Sequence, residues 1–250
     1  MEVDLSEFQW DVISLRLTAF PKPGSEAISG WWQQVLDDIP EQQTVNPRSG
    51  EFLEVGKYGS GLVELRVNPV NINWSYRIEE QQQDVLRVSL GDFKSTSQKF
   101  CSLMDKWFDL DAVSNPVRLA FGAVLIQSVQ NQDEGIARLS KYVHSVNFDP
   151  PPSSGFLYQL NRRRDSRLDI EGLIINRVMK WSLGQQQIMV NHPDGRVEFA
   201  QTPPNSLVHL EVDINTIPEF EGEFQRNILP NIFEELVDLG AEIAEKGDVP

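Results

Sequence analysis

Apolar and polar positions follow two periods along this chain, one typical of strands and one typical of helices. Residues 71–78 alternate without a break, with Ile72, Trp74, Tyr76 and Ile78 on one face, which predicts a half-buried strand. The same alternation and short apolar runs predict further strands at 12–20, 52–58, 62–68, 85–90, 117–129, 156–161, 168–182, 186–190, 196–201 and 207–214. Gly59-Ser60-Gly61 lies between two of these strands and predicts a hairpin.

Helical spacing predicts four helices. The first is expected to begin at Ser25 and to end near Ile39, before Pro40, and the second to open at Ser95, with Gln98 at capping-box spacing. The third is predicted over 133–146. The last carries Ile228, Ile232, Phe233, Leu236, Leu239 and Ile243, with Pro230 either starting the helix or kinking it.

The order strand, helix, antiparallel meander, helix occurs twice. This repeat predicts an α+β fold that arose by internal duplication. We expect two similar lobes, residues 1–115 and residues 116–250, each with a curved antiparallel sheet and helices on one face. The two sheets could pair edge to edge, which would remove exposed strand edges.

Charge and cysteine content narrow the function classes. The chain has 250 residues, and 22 basic against 37 acidic residues give a net charge of −15. Such a surface disfavours nucleic acid and anionic membranes and favours a basic partner. The single cysteine, Cys101, excludes an intramolecular disulfide, so we expect a cytoplasmic protein with a buried thiol. The first residues lack a signal-peptide pattern, and no apolar run has the length of a membrane span.

Three stretches carry a resemblance to a known group of proteins. They are LRVSLGDF at 86–93 with the following LMDKWFDL, PVRLAFGAVLIQSV at 116–129, and HLEVDIN at 209–215. Over roughly the C-terminal two-thirds, the chain resembles a sporadically distributed bacterial family of uncharacterised proteins of similar length. The resemblance implies a bacterial accessory protein encoded on mobile or defence-type loci, and it implies no reaction.

The chain departs from that family in two places. Phe121-Gly122-Ala123-Val124 stands where the family tends to have an Arg-Tyr-Ile-Asn-like signature, and Phe8-Gln9-Trp10-Asp11 replaces a proline- and carboxylate-containing entry to the first strand. A site shared by the family at these positions is therefore in doubt here.

One cluster of basic residues stands out against the acidic background. It consists of Arg162, Arg163, Arg164 and Arg167, which follow a Pro-rich loop, with Arg177, Phe156 and Tyr158 nearby. Arginine binds phosphate or carboxylate in bidentate fashion, so the cluster is a candidate site for a nucleotide, a nucleic-acid strand or a partner. The alternative is a solvated hairpin balanced by Asp165 and Asp169.

The metal-ligand pattern with the best spacing is His209-x-Glu211-x-Asp213. Alternation places the three side chains on one face of a strand, within reach of a shared ion. The alternative, which we favour, is the solvent face of a strand whose other face is apolar.

We likewise interpret the paired carboxylates as solvated surface, and we expect one of Trp31 and Trp32 to be hard to bury fully. Every common cofactor motif is missing, so no cofactor is expected.

These observations favour a non-enzymatic interaction protein that binds another protein, itself basic or nucleic-acid-handling. The candidate surfaces are the Arg162–Arg167 segment and the acidic C-terminal helix between Glu219 and Glu245. A nucleotide- or nucleic-acid-binding protein that uses the arginine cluster is the alternative, and a metal-dependent hydrolase or nuclease is the third hypothesis. A homodimer is left open.

Overall fold

A single large sheet organises the molecule. The computed structural model describes residues 9–23, 30–79, 89–111, 113, 115–148, 155–186, 189–191, 197–199 and 205–250. Its strands are β1 (Asp11–Pro21), β2 (Gln42–Asn46), β3 (Glu51–Tyr58), β4 (Gly61–Val67), β5 (Ile72–Arg77), β6 (Pro116–Val129), β7 (Phe156–Asp165), β8 (Ile174–Gln186), β9 (Met189–Asn191), β10 (Val197–Phe199) and β11 (Asn205–Thr216). Its helices are α1 (Trp31–Leu36), α2 (Phe93–Phe108), α3 (Gln132–Leu139) and α4 (Leu229–Lys246).

Nine of these strands form one antiparallel sheet, which confirms the mixed class of the prediction. The strand order is β2-β3-β4-β5-β1-β6-β11-β8-β7, and β9 and β10 form a separate pair. At the centre, β1 pairs with β6. The strands of the two halves of the chain therefore belong to one continuous sheet and not to two separate ones.

The helices pack against one face of this sheet, and aromatic rings fill the space between the two layers. The Phe233 ring of α4 lies 5.9–6.2 Å from the rings of Phe100, Phe108 and Phe121, which come from α2 and β6. Gly240 lets α4 approach the sheet, because a Cβ there would lie 2.9 Å from the Phe121 ring. Burial of each such side chain contributes roughly 1.5–3 kcal/mol. Core residues from both halves of the chain form one cluster.

The N-terminal tryptophans correct one expectation. Trp31 and Trp32 are both only 2% exposed, so the prediction that one would resist burial is wrong. Trp32 packs over Gly56, where a Cβ would lie 2.9 Å from its ring, and stacks on Trp74 at 6.3 Å. The helix ends at Leu36, so Ile39 is 71% exposed. The predicted start at Ser25 lies outside the described residues.

Several element boundaries also differ from the prediction. The cap of α2 is Asp92, which accepts a hydrogen bond from the Ser95 amide at 2.9 Å, so Ser95 lies inside the helix. The sequence pattern did not predict strand β2, because all of its residues are exposed and they show no apolar alternation. The third helix ends at Leu139, well before 146, and Pro230 stands at the start of α4. The predicted strand at 85–90 falls almost entirely outside the described residues. No helix among the described residues is long and apolar enough to cross a membrane.

Candidate functional site

Arg162, Arg164 and Arg177 of the predicted cluster lie on the helix-covered side of the sheet, whereas Arg163 alternates onto the other face of β7. Strand β7 extends to Asp165, so Arg162 and Arg164 belong to a strand and not to a loop. In register, Arg162 lies beside Arg177 of β8. Arg164 and Arg177 both donate to Glu242 of α4, at 2.6 Å and 3.4 Å. The sequence prediction that Arg177 lies near the cluster is thus met by the geometry.

Arg177 is the unusual member of this group because its side chain is fully buried. Its Nε and Nη1 atoms have no hydrogen-bond partner among the described residues. Burial lowers its pKa, and the nearby Arg164 and Arg162 lower it further, while Glu242 acts in the opposite sense. Glu242 therefore pairs with both Arg164 and the buried Arg177, and this clamp holds β7 and β8 to α4.

Two of the remaining arginines are paired with carboxylates, and Arg162 donates to the Ser145 hydroxyl at 3.4 Å. Arg163 donates to Glu219 at 3.3 Å, and Arg167 pairs with Asp238 of α4 at 2.7 Å. The arginine segment and the acidic C-terminal helix were predicted as two separate partner surfaces. In the structure they bind each other, which leaves less of their charge for an outside partner.

The metal-ligand candidates lie on the opposite face of the sheet. Glu211 accepts from Lys180 at 2.8 Å, and Asp213 accepts from Arg16 at 3.1 Å. His209 lies beside Gly184, where a Cβ would lie 3.3 Å from its Nε2, and burial lowers its pKa. Within the described part of the chain, no group of three or more His, Cys, Asp or Glu residues could hold a metal ion.

This second face carries none of the described helices and presents polar side chains in rows across the central strands. Strand pairing aligns Ser75, Arg16, Gly122, Asp213 and Val178 in one row, and Asn73, Thr18, Ala120, Asn215 and Asn176 in the next. Hydrogen bonds link members of the rows: Thr18 donates to Asn73 at 2.7 Å, and Asn176 donates to Asn215 at 3.1 Å. We call this surface the open face.

Two adjoining depressions lie on the open face. The smaller, of about 290 Å³, is lined by Arg16, Thr18, Phe20, Asn71, Asn73, Arg118, Ala120, Asp213 and Asn215. The larger, of about 540 Å³, shares three of these residues and adds Arg77, Lys180 and Glu211, among others. Together the linings hold four basic and two acidic residues, in a chain whose net charge is −15. The open face is therefore locally basic.

A third and larger cavity lies in the helical layer, in the groove between α2 and α4. Its volume is about 1150 Å³. Lining positions on both helices repeat at intervals of three and four residues: Lys94, Ser97, Gln98, Cys101, Ser102 and Asp105 on α2, and Pro230, Asn231, Phe233, Glu234, Val237, Asp238, Ala241, Ala244 and Glu245 on α4. Trp10 and Phe93 contribute apolar surface at one end.

The α2–α4 groove is strongly acidic. Its lining holds five carboxylates, Asp92, Asp105, Glu234, Asp238 and Glu245, against the single cation Lys94. Burial raises the pKa of the Cys101 thiol to about 12, and the neighbouring carboxylates Asp105, Glu234 and Asp238 add to the rise. Burial likewise raises the pKa of Asp105, with Asp109 and Glu234 adding to it. A thiol with so high a pKa is a weak nucleophile near neutral pH, which argues against a catalytic role for Cys101.

Sequence reasoning missed both the groove and the open face. The groove joins residues more than 120 positions apart, and only the packing of α2 on α4 brings them together. The open face had one usable signal in the sequence. Arg118, Ala120 and Gly122 alternate with apolar residues along β6, and small residues on one face of a central strand indicate close approach by neighbouring groups.

Comparisons with protein families, with curated proteins and with solved structures gave no match to this chain.

Proposed function

We propose that this protein is a binding module that holds a basic, amphipathic helical segment of a partner protein in the α2–α4 groove. The observation that carries the proposal is the charge of the groove: five carboxylates and one lysine around an apolar floor. A partner helix with lysine or arginine on its polar edges would complement this charge, and its apolar face would lie over the partly buried Cys101 and Ala241.

The dimensions of the groove support a helical occupant. The lining positions on α4 run from Pro230 to Glu245, which spans about 22 Å of helix at 1.5 Å per residue. The positions on α2 run from Phe93 to Asp105, about 18 Å. A helix of the partner with about 12–15 residues, or three to four turns, matches these lengths.

The groove carboxylates supply the electrostatic driving force. Asp238 already pairs with Arg167, whereas burial raises the pKa of Asp105 and repulsion from Asp109 and Glu234 raises it further. A cation placed between Asp105 and Glu234 would relieve that repulsion. Binding should weaken with rising salt, because the carboxylates at the rim are screened.

Binding of a labelled model peptide tests the proposal directly. The probe is an amphipathic peptide of about 15 residues with leucine and lysine at helical spacing, measured by fluorescence anisotropy. The double variant Asp105→Asn with Glu234→Gln should bind about tenfold more weakly, a loss of about 1.4 kcal/mol. Alkylation of Cys101, the single cysteine of the chain, should slow when the peptide is bound because the thiol lies in the groove.

The matched control removes two charges elsewhere. Asp169 and Glu171 are exposed between β7 and β8, so Asp169→Asn with Glu171→Gln changes the net charge equally without altering the groove. The proposal would be overturned if both double variants bound the peptide equally weakly, or if a scrambled peptide bound equally well. It would also be overturned if the rate of Cys101 alkylation did not change when the peptide was added.

We further propose that the module is a cytoplasmic bacterial accessory protein built by internal duplication. The order of the strands supports duplication, because β1 and β6 each pair with the last described strand of their own half, β5 and β11, and the last described helix of each half lines the groove. The lone thiol supports a reducing compartment. The bacterial and defence-related setting rests on the family resemblance of the sequence.

A further inference from the structure

We propose that the smaller depression of the open face binds a hydroxylated small molecule that carries one phosphate or carboxylate group. The site is independent of the α2–α4 groove, because it lies on the opposite face of the sheet and shares no residue with it.

A small residue of strand β6 fixes the position of Arg16, which lines the depression. Strand β6 separates β1 from β11, so these two backbones are about 10 Å apart. Arg16 of β1 nevertheless reaches Asp213 of β11 at 3.1 Å, because Gly122 stands between them. A Cβ at Gly122 would lie 3.1 Å from Arg16 Nη2, so the guanidinium rests on the glycine.

Two guanidinium groups present donors to this space. The described hydrogen bonds of Arg16 use Nη2 on Asp213. Those of Arg118 use Nε on the Thr216 carbonyl and Nη2 on Asn215. A guanidinium group carries five N–H donors, so each arginine retains N–H groups for an oxyanion, and these contacts hold the two side chains in place beforehand.

Neutral polar groups complete the lining. The Asn73 side-chain oxygen accepts from Thr18, and the Asn71 side-chain oxygen accepts from Asn68, so among the described contacts both asparagine NH₂ groups remain as donors. Asp213 accepts from Arg16 and from Asn215 and retains acceptor capacity for a hydroxyl group. The lining therefore offers donors for an oxyanion and both donors and acceptors for hydroxyl groups.

The size and the aromatic content favour a small ligand over a nucleic-acid strand. A volume of about 290 Å³ lies just below the range of about 300–1,000 Å³ that ligand pockets occupy. Phe20 is the one aromatic residue in the lining, and Arg118 already covers its ring at 4.7 Å. Binding of a single strand uses several aromatic platforms for successive bases.

Titration by NMR, which follows the arginine Nε–H signals, tests this site. Ribose 5-phosphate and gluconate represent the phosphate and carboxylate forms of the ligand, and ribose tests the oxyanion requirement. Each is added up to about 10 mM, which covers affinities near about 1 mM. We expect saturable shifts of the Arg16 and Arg118 signals with at least one of the two anions, and a much smaller effect of ribose.

Variants locate the binding and separate it from general charge attraction. Arg118→Gln and Arg16→Gln should each weaken binding by about tenfold or more. Gly122→Ala should weaken it by displacing the Arg16 guanidinium. The matched control is Arg66→Gln, because Arg66 is paired with Glu51 and Glu64 and lies outside the depression. Thermal unfolding of every variant confirms that the fold is intact.

Each result decides the proposal. Shifts confined to Arg16 and Arg118 that survive Arg66→Gln support it, and the anion that binds identifies the oxyanion. The proposal would be overturned if neither anion gave a saturable shift, or if Arg118→Gln and Arg66→Gln bound with equal affinity. Shifts centred on Arg162 and Arg164 would also overturn it.

Discussion

Among the described charged residues, Arg177 is the most deeply buried, and two of its side-chain nitrogens have no hydrogen-bond partner. Its side chain is fully buried, and its one acidic partner among the described residues, Glu242, is shared with Arg164. Attraction between buried charges is offset by the cost of removing them from water, and the removal of one partner leaves that cost uncompensated. Glu242 is thus the more critical residue of the pair.

The first prediction concerns this clamp. Glu242→Gln should destabilise the protein by about 3 kcal/mol, because Arg177 loses its acidic partner while it stays buried. Glu245→Gln, an exposed change on the same helix, should stay within about 0.5 kcal/mol of the parent. Urea unfolding measures both.

A second variant separates the charge from the packing. The double change Glu242→Gln with Arg177→Met removes the buried cation as well, so most of the lost stability should return. If the double variant is as unstable as Glu242→Gln alone, the clamp does not act through its charge.

At the scale of elements, capping and strand extension decide where the chain changes direction. Ser95 and Gln98 have capping-box spacing, but the helix begins one turn earlier because Asp92 is the residue whose carboxylate reaches the Ser95 amide. In the same way, β7 continues through Arg164 because Arg162 and Arg164 pair with β8 and Arg164 donates to α4. A local pattern alone does not show such partners.

The cap of α2 has a stability effect that depends on pH. The hydrogen bond from the Ser95 amide lowers the pKa of Asp92, so the folded state favours the ionised carboxylate. Asp92→Ala should cost about 1 kcal/mol at neutral pH. This contribution is fully present above the unfolded pKa of about 3.9 and is lost as the pH falls through the lower pKa of the folded state.

Asp92→Asn is the control for the cap, because its amide oxygen still accepts the hydrogen bond but does not titrate. Its stability cost should be smaller than that of Asp92→Ala. Thermal unfolding of the parent and the two variants between acid and neutral pH gives the three curves. If the stability difference between the parent and Asp92→Ala did not change with pH, the carboxylate charge would have no part in the cap.

At the scale of the whole molecule, the two halves of the chain share one sheet, one core and one helical layer. Trp10 of the first half lies 5.3 Å from Tyr142 and 5.7 Å from Trp181 of the second half, and its Nε1 donates to the Ala244 carbonyl at 2.8 Å. Charge is also divided between faces, with an acidic groove among the helices and a locally basic open face.

The last prediction is that the halves do not fold independently. Separated fragments 1–115 and 116–250 should each lack stable tertiary structure. Strands β1 and β6 would become exposed apolar edges, and the contact between the Phe233 and Phe100 rings would be lost. The intact chain should unfold in a single transition, seen alike by tryptophan fluorescence and circular dichroism. Two separated transitions, or a folded fragment, would establish two domains.

The sequence by itself determined the class of fold and most of the strands, because alternation along β1, β5, β6 and β11 records which residues face an apolar layer. It also indicated the basic cluster with Arg177. Only the tertiary structure decided that the cluster binds α4, that α2 and α4 enclose an acidic groove, and that Gly122 lets Arg16 meet Asp213. These contacts join residues that are distant in the chain. A periodic pattern shows whether a residue faces an apolar layer or solvent, but it does not show which distant residue will contact it.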